Sequence, residues 1–289
     1  MKTIHFIFMF VLLSYLSEAQ SYIGAAGAKT DDDKNFAALL PDASAYKRPI
    51  SFEYVRPDDK MWSKIVWRKI EVREKINQKF YYPQKHMGNY FNLMEALIVG
   101  VETENISAFT DEDFTGEIGI SDIKLKFGAT DSHIDVTDEN GNFIKTVSVH
   151  GEMNFGEVTH FLMKEEWFFD KHRSLLDVRI IAICPVREYY RAEDVEMENP
   201  QYKKLFWISY EQSRDWLAHF RVFNTQNDVT ALTWDDVLVK RFFHGTIVQE
   251  TNQYNNRAIA EYAQGIEQMW EDQRIKEKIF DMEQNVWQY

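Results

Sequence analysis

Two runs of alternating residues near the middle of the chain form its clearest pattern. Apolar side chains recur at every second position over residues 161–169, except at Glu165, and again over residues 176–186. A period of two is typical of a β-strand with one buried face, and the polar residues 170–174 between the runs predict a hairpin turn. Pro185 is expected at a strand end or a bulge, because proline cannot donate to an interior ladder. We expect the second run to place six side chains on one face: Leu176, Val178, Ile180, Ala182, Cys184 and Val186.

Other segments predict a second hairpin and shorter strands. Asn140 and Gly141 separate two β-rich runs within residues 132–151, and Asn-Gly between such runs is a strong hairpin signal. The segments KLFWISY at 204–210 and FRVFN at 220–224 are rich in the aromatic and β-branched residues that favour strands. The middle of the chain is therefore predicted to be mainly β.

Capping signals predict helices on either side of these strands. Asn92 opens the apolar segment NLMEALIVGV, which predicts a short helix, and residues 211–220 predict another. Thr233 and Asp236 have the spacing of a capping box, so a helix is predicted over residues 234–248.

The C-terminal segment predicts the longest helix, from about Gly265 to Trp287. Its apolar face repeats at spacings of four, three and four, at Ile275, Ile279, Met282 and Val286. Strands in the middle and helices towards the end predict an α+β fold with a mostly antiparallel sheet built from hairpins. We expect residues 49–289 to form a single domain.

The segment from Asp58 to Asn77 carries an ambiguous pattern. Roughly helical spacing relates its apolar residues and predicts a helix, with an acidic residue as the N-cap. The alternation of Val66, Ile70 and Val72 supports a strand instead. The helix is our prediction and the strand the open alternative.

The N-terminus has the pattern of a secretory signal peptide. An apolar run over residues 4–16 follows a single lysine and precedes a small-residue cleavage site after Ala19, so residues 1–19 are predicted to be removed. An uncleaved anchor is the alternative, and it would need a longer apolar span. Residues 20–48 are small and polar and predict a flexible arm, with a few helical turns near Phe36 to Leu40 as the alternative.

Composition and charge exclude several classes of protein. With 45% hydrophobic and 15% aromatic residues, the chain can bury a core. Cys184 is the only cysteine, which excludes a disulfide framework and a cysteine-rich zinc site, and its apolar neighbours predict burial. The net charge of −13 argues against nucleic acid, because binding to phosphates requires a basic surface.

The stretch EEWFFDKHRSLLDVRIIAICPVRE at 165–188 resembles an acid/base site. Glu165 and Glu166 are strand neighbours, however, and therefore point to opposite faces. His172 lies in the predicted turn, where a side chain is solvated and lacks the pocket that a general base needs.

Other chemical signatures are missing from the sequence. It contains no HExxH, GxSxG, GxxxxGK or GxGxxG motif. Asp138, Asn140 and Gly141 match part of a calcium loop, but Val136 and Val147 stand where its first and last acidic ligands belong. No catalytic residue, cofactor or metal site is predicted.

Four segments resemble the GldN/PorN family of the gliding-motility and type IX secretion machinery. They are FEYVRPDDKMWSKIVWRKIEVREKINQKFYYP, EEWFFDKHRSLLDVRIIAICPVRE, LFWISY and VLVKRFFHGTIVQETN, and the resemblance spans residues 50–289. Two features depart from it: Cys184 replaces a smaller residue, and residues 111–156 contain little that matches.

The resemblance implies a non-enzymatic periplasmic subunit without a cofactor. Members assemble with the outer-membrane lipoprotein GldK/PorK into a ring and contact the inner-membrane motor protein GldM/PorM. Two alternatives come from other classes. An exported hydrolase or carbohydrate-binding protein would need a cleft with converging carboxylates or a row of exposed aromatics. A periplasmic chaperone would need an exposed apolar groove.

Uneven charge suggests where such a subunit meets a neighbour. Residues 56–79 carry a local charge of +4, and residues 261–289 carry −4. We predict that the basic segment faces an acidic surface, such as the last helix of a neighbouring copy, through Lys64, Arg68, Lys75 and Lys79. The alternative is that these cations pair within the chain or stay solvated.

Overall fold

The computed structural model describes residues 48–129, 132–137, 143–149, 153–190, 199–224 and 232–286. The predicted signal peptide and all but the last residue of the predicted arm lie outside them. So does the Asn-Gly turn of the hairpin predicted within residues 132–151.

Strands and helices of the described chain follow in this order. The strands are β1 (Lys60–Glu71), β2 (Ala108–Phe109), β3 (Glu117–Ile118), β4 (Ser132–Thr137), β5 (Phe143–Val149), β6 (Val158–Asp170), β7 (Leu175–Tyr189), β8 (Gln201–Lys204), β9 (Trp207–Ser209), β10 (Arg221–Val222), β11 (Leu232–Thr233) and β12 (Thr246–Glu250). The α-helices are α1 (Leu93–Glu102), α2 (Ile120–Phe127), α3 (Tyr210–Leu217), α4 (Trp234–Val239) and α5 (Ile266–Val286). Short 3₁₀ helices cover Pro57–Asp59, Lys75–Phe80, Phe155–Glu157 and Ile259–Glu261.

The main sheet has the strand order β12-β1-β6-β7-β9-β2-β3, and β8 also pairs with β7. Its strand pairs are antiparallel. Both predicted hairpins are present, as β4–β5 and as β6–β7. The α+β class, the mostly antiparallel sheet and the long C-terminal helix are therefore confirmed.

The predicted helix from Asp58 to Asn77 is wrong, because this segment forms β1. The strand lies between β6 and β12 and is hydrogen-bonded to both. Three consecutive residues, Val66, Trp67 and Arg68, are buried, so both faces of the strand are covered. A strand buried on both faces loses the clean alternation that would identify it in the sequence.

The prediction of one face for six residues of β7 is also wrong. Ile180 lies opposite Glu165, and Ala182 lies opposite the adjacent Lys164, so Ile181 is an extra residue at a bulge. Such a bulge reverses the side on which the following residues lie. Leu176 accordingly packs against the cluster around Val66 and Ile275, whereas three residues after the bulge pack with Trp67: Ala182, Cys184 and Val186.

Pro185 lies inside β7, not at its end or at the bulge, which corrects another prediction. It sits opposite Phe161 of β6. On the other side of β7, the chain leaves the ladder between β8 and β9, and Leu205 N donates to Pro185 O at 3.0 Å. Proline therefore lacks its N–H at a position of β7 that is paired with neither β8 nor β9.

The helix that begins at Thr233 has the predicted start but not the predicted length. The capping box of Thr233 and Asp236 is formed in both directions. The helix ends at Val239, and β12 begins at Thr246, so the prediction of helix over residues 234–248 is wrong beyond Val239. Pairing of this segment with the edge of β1 outweighs its helical pattern.

Helices α1 and α3 match their predictions. Asn92 caps α1 by accepting a hydrogen bond from Glu95 N at 2.7 Å. The indole of Trp216 in α3 donates to Ala96 O of α1 at 2.8 Å and ties the two helices together. The strand predicted at 204–210 is split into β8 and β9.

Aromatic packing joins the helices to the sheet. The ring of Phe80 lies 5.7 Å from that of Phe161 on β6 and 5.2 Å from that of Trp234 on α4. The indole N–H of Trp234 donates to Phe91 O at 3.0 Å, and the Phe91 ring lies 4.8 Å from Phe220. Large buried rings therefore form the core between the sheet and the helices.

We predict that His160 makes the stability depend on pH. The side chain is buried on β6, and burial together with the charge of Lys69 lowers its pKa from 6.5 to about 4. The unfolded chain takes up a proton first as the pH falls, so stability is full above pH 6.5 and is lost towards pH 4. The expected loss is roughly 3 kcal/mol, measured by urea unfolding at pH 7, 5.5 and 4.

A matched pair of variants tests this prediction. His160→Gln should flatten the pH dependence, whereas His172→Gln, in the exposed turn after β6, should leave it as in the parent chain. An equal loss of stability on acidification in the parent chain and in His160→Gln would contradict it.

Candidate interaction surface

Most cations of the basic segment 56–79 pair within the chain. Six of its eight basic residues form ion pairs with acids of the described chain, and two form none there, Lys75 and Lys79. The paired residues are Arg56, Lys60, Lys64, Arg68, Lys69 and Arg73. Of the four predicted interface residues, Lys64 and Arg68 therefore form ion pairs within the described chain, whereas Lys75 and Lys79 do not.

Lys64 and Arg68 are the two predicted interface residues that are engaged within the chain. Lys64 Nζ lies 3.3 Å from Glu250 and donates to Thr251 O at 2.6 Å, so it joins β1 to the end of β12. Arg68 is only 7% exposed and donates to Gly245 O at 2.9 Å. Its guanidinium also lies 3.1 Å from the carboxylate of Glu165. Both side chains therefore link β1 to other parts of the sheet edge: Lys64 to the end of β12, and Arg68 to Gly245 just before β12.

Lys75 and Lys79 lie on the 3₁₀ helix Lys75–Phe80, next to exposed apolar side chains. Lys79 Nζ is 5.8 Å from the centre of the Phe242 ring, and partial burial lowers the pKa of Lys79. Ile76 and Phe242 are themselves about half exposed. We call these four residues, Lys75, Ile76, Lys79 and Phe242, the basic patch.

Helix α5 has a second apolar side that faces away from the sheet. Its inner side packs Ile275 and Ile279 against β1 and β12, and Asp272 accepts a hydrogen bond from Ile247 N at 2.7 Å. Away from this side, large apolar residues near the start of the helix are between 67% and 70% exposed: Ile266, Met269 and Trp270. We call these three residues the outer face of α5.

Acidic residues accompany this outer face. Glu267, Glu277 and Asp281 are exposed on the same helix, and none of them forms an ion pair with another described residue. The outer face therefore combines exposed apolar area with negative charge, whereas the basic patch combines apolar area with positive charge. The sequence prediction of this helix used Ile275, Ile279, Met282 and Val286, of which Ile275 and Ile279 are buried. It missed the exposed apolar side of α5, which the i, i+3 and i+4 spacing of Ile266, Met269 and Trp270 indicates.

The stretch at 165–188 is structural. Glu165 is fully buried and pairs with Arg68 and with Arg241, whose Nη2 lies 2.9 Å from its carboxylate. Glu166 lies on the other face and pairs with Lys60 at 2.8 Å, as the argument from neighbouring strand positions predicted. These carboxylates do not form a cooperating pair.

The turn after β6 likewise uses its charges to hold its own shape. Asp170 accepts hydrogen bonds from the backbone N–H of His172 at 2.8 Å and of Arg173 at 3.3 Å. The Arg173 side chain also donates to Asp170, and these bonds lower the pKa of that carboxyl. His172 is exposed. The turn has the hydrogen bonding of a structural hairpin connection.

Cys184 is buried, as predicted, and burial raises the pKa of its thiol to about 12. Among the described residues, no group of three or more His, Cys, Asp or Glu side chains is placed to hold a metal ion. No helix among those same residues is both long enough and apolar enough to cross a membrane.

The described residues form an α+β protein whose sheet core contains paired charges and whose surface carries two exposed patches of opposite charge. The family model described as "Gliding motility associated protein GldN" matches residues 55–288, and the chain belongs to that family. The family is a structural component of gliding motility and not a known enzyme family. No curated protein matches the chain.

Proposed function

We propose that the protein is a non-enzymatic structural subunit of the gliding-motility and type IX secretion machinery, acting in the periplasm. The observation that carries this proposal is the outer face of α5, which exposes Ile266, Met269 and Trp270 side by side in a member of the GldN family. Clustered exposed apolar residues mark surfaces that bind other proteins. Tryptophan and methionine are both enriched at such interfaces.

The proposed partners are two membrane proteins and further copies of the chain. The family resemblance supports an outer-membrane lipoprotein, GldK/PorK, as the partner that holds the subunit at the outer membrane. It also supports contact with the inner-membrane motor protein GldM/PorM. The apparent signal peptide at residues 1–19 supports export to the compartment between these membranes.

Self-association in a ring requires two different surfaces that fit each other. The outer face of α5 and the basic patch meet this requirement, because one is apolar and acidic and the other is apolar and basic. Contact between different patches on successive copies produces a closed ring when the rotation between copies allows closure. We propose that Lys75 and Lys79 of one copy face Glu267 and Glu277 of the next.

Charge reversal tests this arrangement. Replacing Lys75 and Lys79 by glutamate should weaken assembly on the order of tenfold or more, because like charges then meet at the interface. A second pair of changes, Glu267→Lys and Glu277→Lys, should restore part of the assembly in the same chain. The masses of particles purified with the lipoprotein measure the effect.

The control changes the charge equally but elsewhere. Lys171→Glu with Lys203→Glu alters two exposed lysines outside both patches and should leave particle mass unchanged. Assembly that survives the reversal of Lys75 and Lys79 would contradict the proposed contact. A chain that remains a monomer and never joins a larger particle would contradict the proposed function itself.

A further inference from the structure

A cavity of about 720 Å³ opens beside α1, and its lining includes no residue of the outer face of α5 or of the basic patch. Three buried side chains, Phe80, Met94 and Phe161, form much of its apolar lining. Met153 and Phe155 line it from the chain before β6. Half of the lining residues carry polar side chains, so the cavity combines apolar walls with hydrogen-bonding groups.

The polar group that distinguishes this cavity is the carboxylate of Glu95. The residue is only 8% exposed, and its Oε1 lies 2.7 Å from His86 Nδ1. Its Oε2 is buried and has no hydrogen-bond partner. A buried carboxylate oxygen without a donor costs free energy, and a donor supplied by a ligand would remove that cost.

Burial dominates the electrostatics of Glu95. It raises the pKa of this carboxyl, although the hydrogen bond and charge of His86 act in the opposite direction. His86 therefore compensates the carboxylate only in part. A second cation would find an unsatisfied acceptor in an environment of low dielectric, where a charge-assisted hydrogen bond is strong.

Helix capping does not account for the Glu95 side chain. Glu95 is the third residue of α1, a position from which a glutamate often bonds back to the start of its helix. Here Asn92 caps the helix by accepting from Glu95 N, and its Nδ2 donates to Pro83 O at 2.8 Å. The carboxylate is directed to His86 instead.

We propose that this cavity binds a lysine side chain of a partner protein, with its ammonium donating to Glu95 Oε2. The apolar walls suit the four methylene groups of the lysine stem, which pack on apolar surface while the charged end finds an acceptor. Lysine fits better than arginine, because His86 already occupies Oε1 and a guanidinium binds best to two free oxygens. Lys85 is an exposed residue of the same cavity and is the competing occupant from this chain.

Methionine methyl groups provide a direct readout of ligand binding in the cavity, measured on the full chain without its predicted signal peptide. Met94 and Met153 line the cavity, so their ¹³C-methyl NMR signals should shift when a blocked Gly-Lys-Gly tripeptide is added. A tripeptide with norleucine in place of lysine has a similar aliphatic side chain without the ammonium. It should bind at least about tenfold more weakly, as expected for loss of a charge-assisted hydrogen bond.

Variants of the protein complete the test. Glu95→Gln should weaken binding of the lysine peptide by about tenfold or more, whereas Glu211→Gln, on the exposed side of α3, should leave it unchanged. His86→Ala frees Oε1 and should strengthen binding, which keeps the proposal testable if Glu95→Gln does not fold. Lys85→Met should leave binding equal or stronger.

Two results would overturn the proposal. One is equal binding of the lysine and norleucine peptides, or no shift of the Met94 and Met153 signals. The other is unchanged lysine affinity in Glu95→Gln or, if that variant does not fold, unchanged affinity in His86→Ala. Neither result bears on ring assembly, because the cavity shares no residue with the two patches proposed for that contact.

Discussion

Replacing Glu165 by glutamine is expected to lower the free energy of unfolding by about 3–5 kcal/mol. Glu165 is fully buried, and its carboxylate neutralises two arginines, Arg68 and Arg241. The indole N–H of Trp167 also donates to it, at 3.2 Å. Removing one charge therefore leaves two guanidinium groups packed in the protein without a counter-charge, which is the costly way to break a buried ion pair.

Urea unfolding at pH 7 measures this effect, and the next residue provides the control. Glu166→Gln makes the same chemical change on the opposite face of β6, where Glu166 pairs with the half-buried Lys60. That change should cost about 1 kcal/mol or less, because solvent screens the pair. Similar losses in the two variants would contradict the assigned role of Glu165.

Replacing Trp234 by alanine is expected to lower the free energy of unfolding by about 3–5 kcal/mol. The side chain is fully buried, its ring contacts that of Phe80, and its indole N–H satisfies Phe91 O. The substitution removes a large apolar volume and also leaves a buried carbonyl without its donor. Urea unfolding measures the loss.

The same substitution at Trp270 separates stability from assembly. Trp270 is 70% exposed on the outer face of α5, so Trp270→Ala should change the free energy of unfolding by no more than about 0.5 kcal/mol. It should nevertheless reduce assembly, because exposed tryptophans at interfaces frequently carry much of the binding energy. A large loss of stability in Trp270→Ala, or none in Trp234→Ala, would show that the two roles are wrongly assigned.

The elements predicted best from the sequence are those that depend on residues close together along the chain. The cap at Asn92 and the capping box at Thr233 each involve residues three positions apart, and both are present. The hairpin of β6 and β7 also follows from a local alternation and a short turn. The strand β1 was missed because its pairing with β6 and β12 involves residues about 100 and 180 positions away.

The candidate surfaces were predictable to different degrees. Lys75 and Lys79 were identified from the local excess of basic residues, but the intramolecular partners of Lys64 and Arg68 were not. Glu165 is 97 residues from Arg68, and the spacing of residues carries no signal for such a pair. The cavity beside Glu95 was missed for the same reason, because its walls come from segments brought together only by folding.

The extra residue in β7 has a consequence for how the protein tolerates change in chain length. Deleting Ile181 would remove the bulge but leave Ile180 opposite Glu165 and Ala182 opposite Lys164, as they are now. Ala182, Cys184 and Val186 would therefore stay beside Trp67, and β7 should tolerate the loss of this one residue with both of its sides unchanged.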